Sequence, residues 1–118
     1  MRVAVSVWED RISPVFDVSR KILILEMENG TLAGRIVERF MDDDPIHKLH
    51  RLRSLQVNLL ICGAISRSVA DMLIAGGIQT IPFVSGKQED VIAAYLAGEL
   101  PGVRFAMPGG YDGASRTS

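Results

Sequence analysis

The chain has 118 residues, 47% of them hydrophobic, and its 13 Lys and Arg against 14 Asp and Glu leave a net charge of -1. That length suits one domain with an apolar core of its own, and the balanced charge gives no overall attraction to phosphate backbones or anionic lipid. Disordered, collagenous and disulfide-stapled classes are excluded, because apolar content is high and the one cysteine, Cys62, has no partner.

Val3, Val5, Val7 and Trp8 crowd a short stretch over residues 2–8, which predicts a first strand buried on one or both faces. Residues 9–20 mix charges with Ser13-Pro14 and Phe16-Asp17 and read as a long ordered loop. Asn29-Gly30 lies between two apolar runs, 21–27 and 31–40, and both residues tolerate positive φ, so these runs form an antiparallel hairpin. Asp42-Asp43-Asp44-Pro45 then supplies an acidic N-cap and a proline at the first helical position, starting a basic helix that runs to about Leu55. The apolar run 57–62 ends at Gly63 and fits a strand covered on both faces. Ser66 caps a helix stopped by Gly76-Gly77, a strand follows over 78–84, and Ser85 to Gln88 has capping-box form before a last helix that Gly98 closes.

Strand-helix-strand units make parallel neighbours with right-handed crossovers, whereas the hairpin is antiparallel. Both are satisfied by an α/β domain with a mixed five-stranded sheet in the order 3-2-1-4-5 and three helices, a ribonuclease-H-like arrangement over residues 1–107. A flexible tail is expected over 108–118. The apolar runs fall far short of the roughly 20 residues that cross a bilayer, and a strand opens at Arg2, so neither a membrane span nor a signal peptide is expected. A lone thiol suits a cytoplasmic location.

In such a sheet the carboxyl ends of the parallel strands share one edge, and the loops leaving it open a crevice between segments 9–17 and 62–67. Cys62 offers a soft metal ligand there, and Gly63 lets the chain turn tightly. Ser66 and Arg67 present helix N–H groups and a cation to an anionic ligand, with Ser13 and Asp17 as the facing wall. Each has a plainer reading: Cys62 as a small core residue, Ser66 as a cap, Asp17 as a turn residue, and Val15 and Phe16 as a plug for the sheet edge. His47 and His50, three apart on the first helix, could reach one metal or form a surface pair. Lys48, Arg51 and Arg53 give that helix a basic cluster. A two-metal nuclease needs converging carboxylates, and the first strand holds no acid inside it.

The segments Val3-Ala4-Val5-Ser6-Val7-Trp8, Arg11-Ile12-Ser13-Pro14-Val15-Phe16-Asp17 and Leu60-Ile61-Cys62-Gly63-Ala64-Ile65-Ser66-Arg67 together resemble the dinitrogenase iron-molybdenum cofactor biosynthesis family. The resemblance implies a ribonuclease-H-like carrier for the iron-molybdenum cofactor, its precursor or an iron-sulfur cluster. It implies no turnover chemistry, cofactor-assembly proteins as partners, and no nucleic acid or membrane. Where family members carry His-Phe-Gly, this chain has Val15-Phe16-Asp17. An iron-sulfur cluster takes four protein ligands, more than one chain offers, so either a homodimer brings two Cys62 thiolates together or a complete preformed cofactor sits on Cys62 with Arg67 and helix N–H groups balancing its charge. Two other readings stand beside it: a regulatory or scaffold protein that contacts a partner through its sheet edge or basic helix and binds no metal, and a small-anion or phosphate-ligand domain at the Ser66 helix start.

Overall fold

The computed structural model describes residues 1–100, 102 and 105–107, and the tail expected from Pro108 lies outside the described residues. Strand β1 (Arg2–Trp8) is buried from Val3 to Val7. Its alternation sends Val3, Val5 and Val7 into one apolar layer and Ala4 into the other. The chain then turns at Glu9 and Asp10 and returns as β2 (Arg11–Ile12), antiparallel to Val7 and Trp8. The sheet therefore has six strands rather than the expected five, because a two-residue strand leaves no periodicity to read.

The hairpin of β3 (Lys21–Glu28) and β4 (Thr31–Arg39) turns on Asn29 at φ 53° and Gly30 at φ 79°. Helix α1 (Pro45–Ser54) starts where the Asp44 carboxylate accepts the Ile46 N–H at 2.9 Å. Strand β5 (Val57–Ile61), helix α2 (Arg67–Ala75), strand β6 (Gln79–Ile81) and helix α3 (Gln88–Leu96) complete the chain. Across the sheet the order is β4-β3-β1-β5-β6, with β1, β5 and β6 parallel, β3 antiparallel to β1 and β4, and β2 beside β1. Apolar side chains of α1 and α2 (Leu52, Val69, Leu73) pack in one layer with Ala4, Ile22, Ile24 and Leu60, and those of α3 (Val91, Ile92) pack in the other with Val3, Val5, Leu25 and Ile61. Among the described residues no helix is long and apolar enough to cross a membrane.

Two expected elements differ. The last strand ends at Ile81, since Pro82 has no N–H to give a ladder and Phe83 adopts φ 61°. The capping box of Ser85 and Gln88 does not form. Lys87 is the N-cap of α3, and the Ser85 N–H donates to Phe105 O at 2.7 Å. The start of α3 is tied instead to β2 and the turn before it, with Ile12 N–H donating to Gly86 O at 3.0 Å and Gln88 N–H to Asp10 O at 2.7 Å.

Candidate functional site

The two segments expected to share one rim of the sheet do meet, and they meet backbone to backbone. Phe16 N–H donates to Ala64 O and Ala64 N–H to Pro14 O, each at 2.8 Å, so the crevice expected between them is closed by hydrogen bonds. Gly63 makes this approach possible. A methyl added there would lie 2.4 Å from Ser13 O and 2.7 Å from Pro14 O. Its backbone is not left-handed, so the glycine serves a close contact rather than the tight turn expected of it.

Cys62 stands inside this closure with 0% exposure, packed among Phe16, Leu60, Ile65 and Leu73. The metal-ligand role expected for it lacks access in this arrangement. Burial, with the Asp17 carboxylate nearby, pushes the thiol up to about 12 from an ordinary 9.0. Iodoacetamide at mildly alkaline pH should therefore leave folded Cys62 unmodified and label it only after denaturation. Rapid labelling of the native protein, read by mass spectrometry, would contradict that burial.

Asp17 also departs from its expected place on the wall of a crevice. Its Oδ1 accepts the Ser66 N–H at 3.0 Å, so the chain's own carboxylate occupies the start of α2 where an anionic ligand was expected. Ser66 caps α2 as read, its Oγ accepting the Val69 N–H at 3.4 Å. Arg67 is exposed beside it.

Helix α1 is not the uniform basic surface that its sequence suggests. Lys48 is 1% exposed, and its Nζ donates to Phe16 O at 2.9 Å, Asp17 O at 2.9 Å and Ser19 O at 2.8 Å. All three ammonium N–H donors are thereby used on one stretch of the loop, the 3-10 turn Phe16–Val18 and its C-cap Ser19. Burial pushes the Lys48 amine below the usual lysine range, while Asp43 at 3.8 Å acts in the opposite direction. Nearby, the buried Ser6 hydroxyl donates to Ser19 Oγ at 2.8 Å.

His47 faces Asp42, Nδ1 to Oδ2 at 2.9 Å, rather than sharing a metal with His50, and among the described residues no three His, Cys, Asp or Glu side chains converge as metal ligands. The Asp42 carboxylate raises His47 above its ordinary 6.5, and His47 lowers Asp42 below 3.8. The stability from this pair is fully present between those two values. It is lost as pH rises through the folded pKa of His47 and as pH falls through that of Asp42. In an NMR titration His47 should titrate above 6.5 and move down in Asp42→Asn. A midpoint unchanged by that substitution would remove the pairing.

A hollow of about 620 Å³ opens instead on the other side of the loop, at the end of β1, β3 and β4. Trp8, Pro14, Val15 and Val18 make an apolar wall, and Ser13 and Ser19 also line it. Arg20, Lys21 and Arg39 set three cations around it, with Glu9 the one acid among its lining residues. Glu9 holds φ 57°, a conformation uncommon outside glycine.

Lys21 and Arg39 are directly opposite each other across the β3–β4 ladder, an arrangement that repulsion disfavours. Continuing the pairing of Glu28 with Thr31 and Met27 with Leu32 would have set Lys21 opposite Glu38. The register shift between Glu26 and Met27 moves Arg39 into that position. Glu38 binds Arg51 at 2.6 Å instead, and among the described residues neither Lys21 nor Arg39 has an ion-pair partner. Sequence reasoning passed over this pair because its juxtaposition depends on the bulge.

The fold is that of a small α/β domain with a cationic, partly apolar hollow at one end of its sheet. The chain belongs to the dinitrogenase iron-molybdenum cofactor family, whose pattern matches residues 1–98. Among solved structures it is similar to a Methanocaldococcus jannaschii protein provisionally described as a dinitrogenase, with 24% identity, a TM-score of 0.67, and coverage of 89% of this chain and 96% of that one. A Thermotoga protein provisionally described as NifB is 25% identical with a TM-score of 0.66, covering 83% of this chain and 89% of that one. The apo form of the orange protein from Desulfovibrio gigas matches at 16% identity and a TM-score of 0.70, over 89% of this chain and 94% of that one, a likeness of fold. No curated protein matches the chain.

Proposed function

We propose that this domain is a non-catalytic carrier for an anionic metal-sulfur cofactor of the iron-molybdenum or iron-sulfur type, on a ribonuclease-H-like frame. The cargo is held in the hollow by charge and apolar contact rather than by a protein-metal bond. The donor set favours this mode. The one thiol is buried, and the described residues offer no convergent ligand group, so a cluster built on protein ligands does not fit while a preassembled anion does.

The observation that carries the reading is the opposed Lys21 and Arg39, two like charges kept face to face at the hollow with no carboxylate between them. An anion bridging them relieves their repulsion and gains charge-assisted hydrogen bonds. The same cations would attract phosphate. The wall of Trp8, Pro14, Val15 and Val18 favours a bulky, polarisable anion over a small, strongly hydrated one.

Trp8 is the chain's one tryptophan and lines the hollow, so its fluorescence reports occupancy. Under anaerobic conditions, isolated iron-molybdenum cofactor should quench it, and inorganic phosphate should compete weakly. The double variant Lys21→Gln, Arg39→Gln should lose at least about tenfold in affinity, from two charge-assisted contacts. Cys62→Ala should bind as the wild type does. Equal binding by the double variant, or loss confined to Cys62→Ala, would overturn the proposal and return the site to the cysteine.

A further inference from the structure

We propose that Lys48, acting with Asp43, is the positioning residue that shapes the cofactor hollow. The inference rests on reading that hollow as the anion site. Lys48 belongs to α1, behind the loop, and contributes nothing to the lining of the hollow itself. Its ammonium instead reaches three points of the loop from within, at Phe16 O, Asp17 O and Ser19 O. Alternating with these anchored residues is Val18, and Val15 lies just before them; both form the apolar wall.

The loop has little to hold this turn by itself. Within the turn, Ser19 N–H donates to Phe16 O at 3.0 Å, and the carbonyls of Asp17 and Ser19 accept from Lys48. The ammonium also lies 5.0 Å from the Phe16 ring centroid and 5.1 Å from that of Phe40, so aromatic faces complete its surroundings.

The second arm runs through Asp43. Its Oδ1 lies 3.8 Å from Lys48 Nζ and accepts Arg20 Nε at 2.7 Å. Arg20 is one of the cations around the hollow. A single buried cation thus sets both the apolar wall, through the loop backbone, and one cation of the rim, through a shared carboxylate. Pre-forming a site in this way spares the ligand the cost of ordering it.

The test uses the full chain, isolated iron-molybdenum cofactor as the probe, and amide hydrogen exchange as a readout that needs no ligand. Lys48→Met keeps the length of the side chain and removes its donors. It should speed exchange at the Phe16 and Ser19 amides and weaken cofactor binding by at least about tenfold. Ile92→Ala opens the core on the α3 face and serves as a control for general destabilisation. It should leave the affinity within about twofold.

Asp43→Asn is an exposed change that leaves the loop anchored and frees Arg20. It should weaken binding about two- to fivefold, the range of an exposed ion pair. Unchanged exchange at Phe16 and Ser19 in Lys48→Met, or a loosened loop with wild-type affinity, overturns the positioning role. If Lys48→Met fails to fold, wild-type affinity in Asp43→Asn overturns it. A wild type that binds no cofactor, alongside a loop loosened by Lys48→Met, upholds the anchoring and rejects the reading of the hollow.

Discussion

Truncating Phe16 to alanine should remove about 3–5 kcal/mol of stability, the usual loss for a buried phenylalanine. For a domain of this size that lowers the thermal midpoint by roughly 15 °C. Phe16 sits in a stretch that reads as a surface loop, and surface substitutions usually fall within about 0.5 kcal/mol. Here, however, its ring is fully buried with Ile22, Leu52 and Ile65 and meets Phe40 edge to face at 5.8 Å between centroids. The ring also forms part of the surroundings of Lys48, so the cavity left behind would adjoin a buried charge. Thermal and urea melts measure the effect. A loss below about 1 kcal/mol would show that the loop is an attachment to the core rather than a part of it.

Gly63→Ala is the second large effect, about 3 kcal/mol, because the new methyl meets Ser13 O at 2.4 Å and Pro14 O at 2.7 Å. Both obstacles are backbone atoms, so no side-chain rotation relieves them. The loop must lift, and the bonds joining Phe16, Ala64 and Pro14 go with it. Gly30→Ala is the informative comparison. Gly30 has φ 79° and open space around it, so alanine there should cost about 1 kcal/mol from backbone strain alone. Equal losses at the two positions in urea denaturation would refute the close-contact explanation.

What the sequence discloses and what it conceals divide along physical lines. Signals that act over two to four residues are legible. Asn29-Gly30 makes the hairpin, Asp44-Pro45 starts α1, and Ser66 caps α2, each through a bond or a dihedral confined to its own neighbourhood. The approach of the loop to the turn after β5 is legible too, as a consequence of strand connectivity. The fate of that approach is not. Whether two segments leave a space or close it depends on one missing methyl at Gly63, and glycine after a strand reads equally well as a turn.

Lys48 illustrates a deeper limit. Between His47 and Leu49 in a basic helix it looks like any solvated lysine, and only tertiary structure brings it the carbonyls of residues some thirty positions earlier. The juxtaposition of Lys21 and Arg39 is hidden in another way. Counting back from the Asn-Gly turn pairs Lys21 with Glu38, an attractive match, and the bulge near Gly34 replaces it with a repulsive one. Cys62 drew attention for its chemistry, but its position beside β1 and β5 gave it to the core.

The place of β1 in the sheet also shapes how the chain is made. It is made before the other strands of its sheet, yet its parallel partner β5 lies some fifty residues later, and α1 and α2, which cover one of its faces, bracket that partner. Until then β1 can pair only with β2 and the hairpin strand β3, leaving one open edge of backbone and both apolar faces without their full cover, since α2 and α3 follow β5. The strand of this fold that is made first is therefore among the last enclosed, and that interval is where its apolar faces are open to wrong partners.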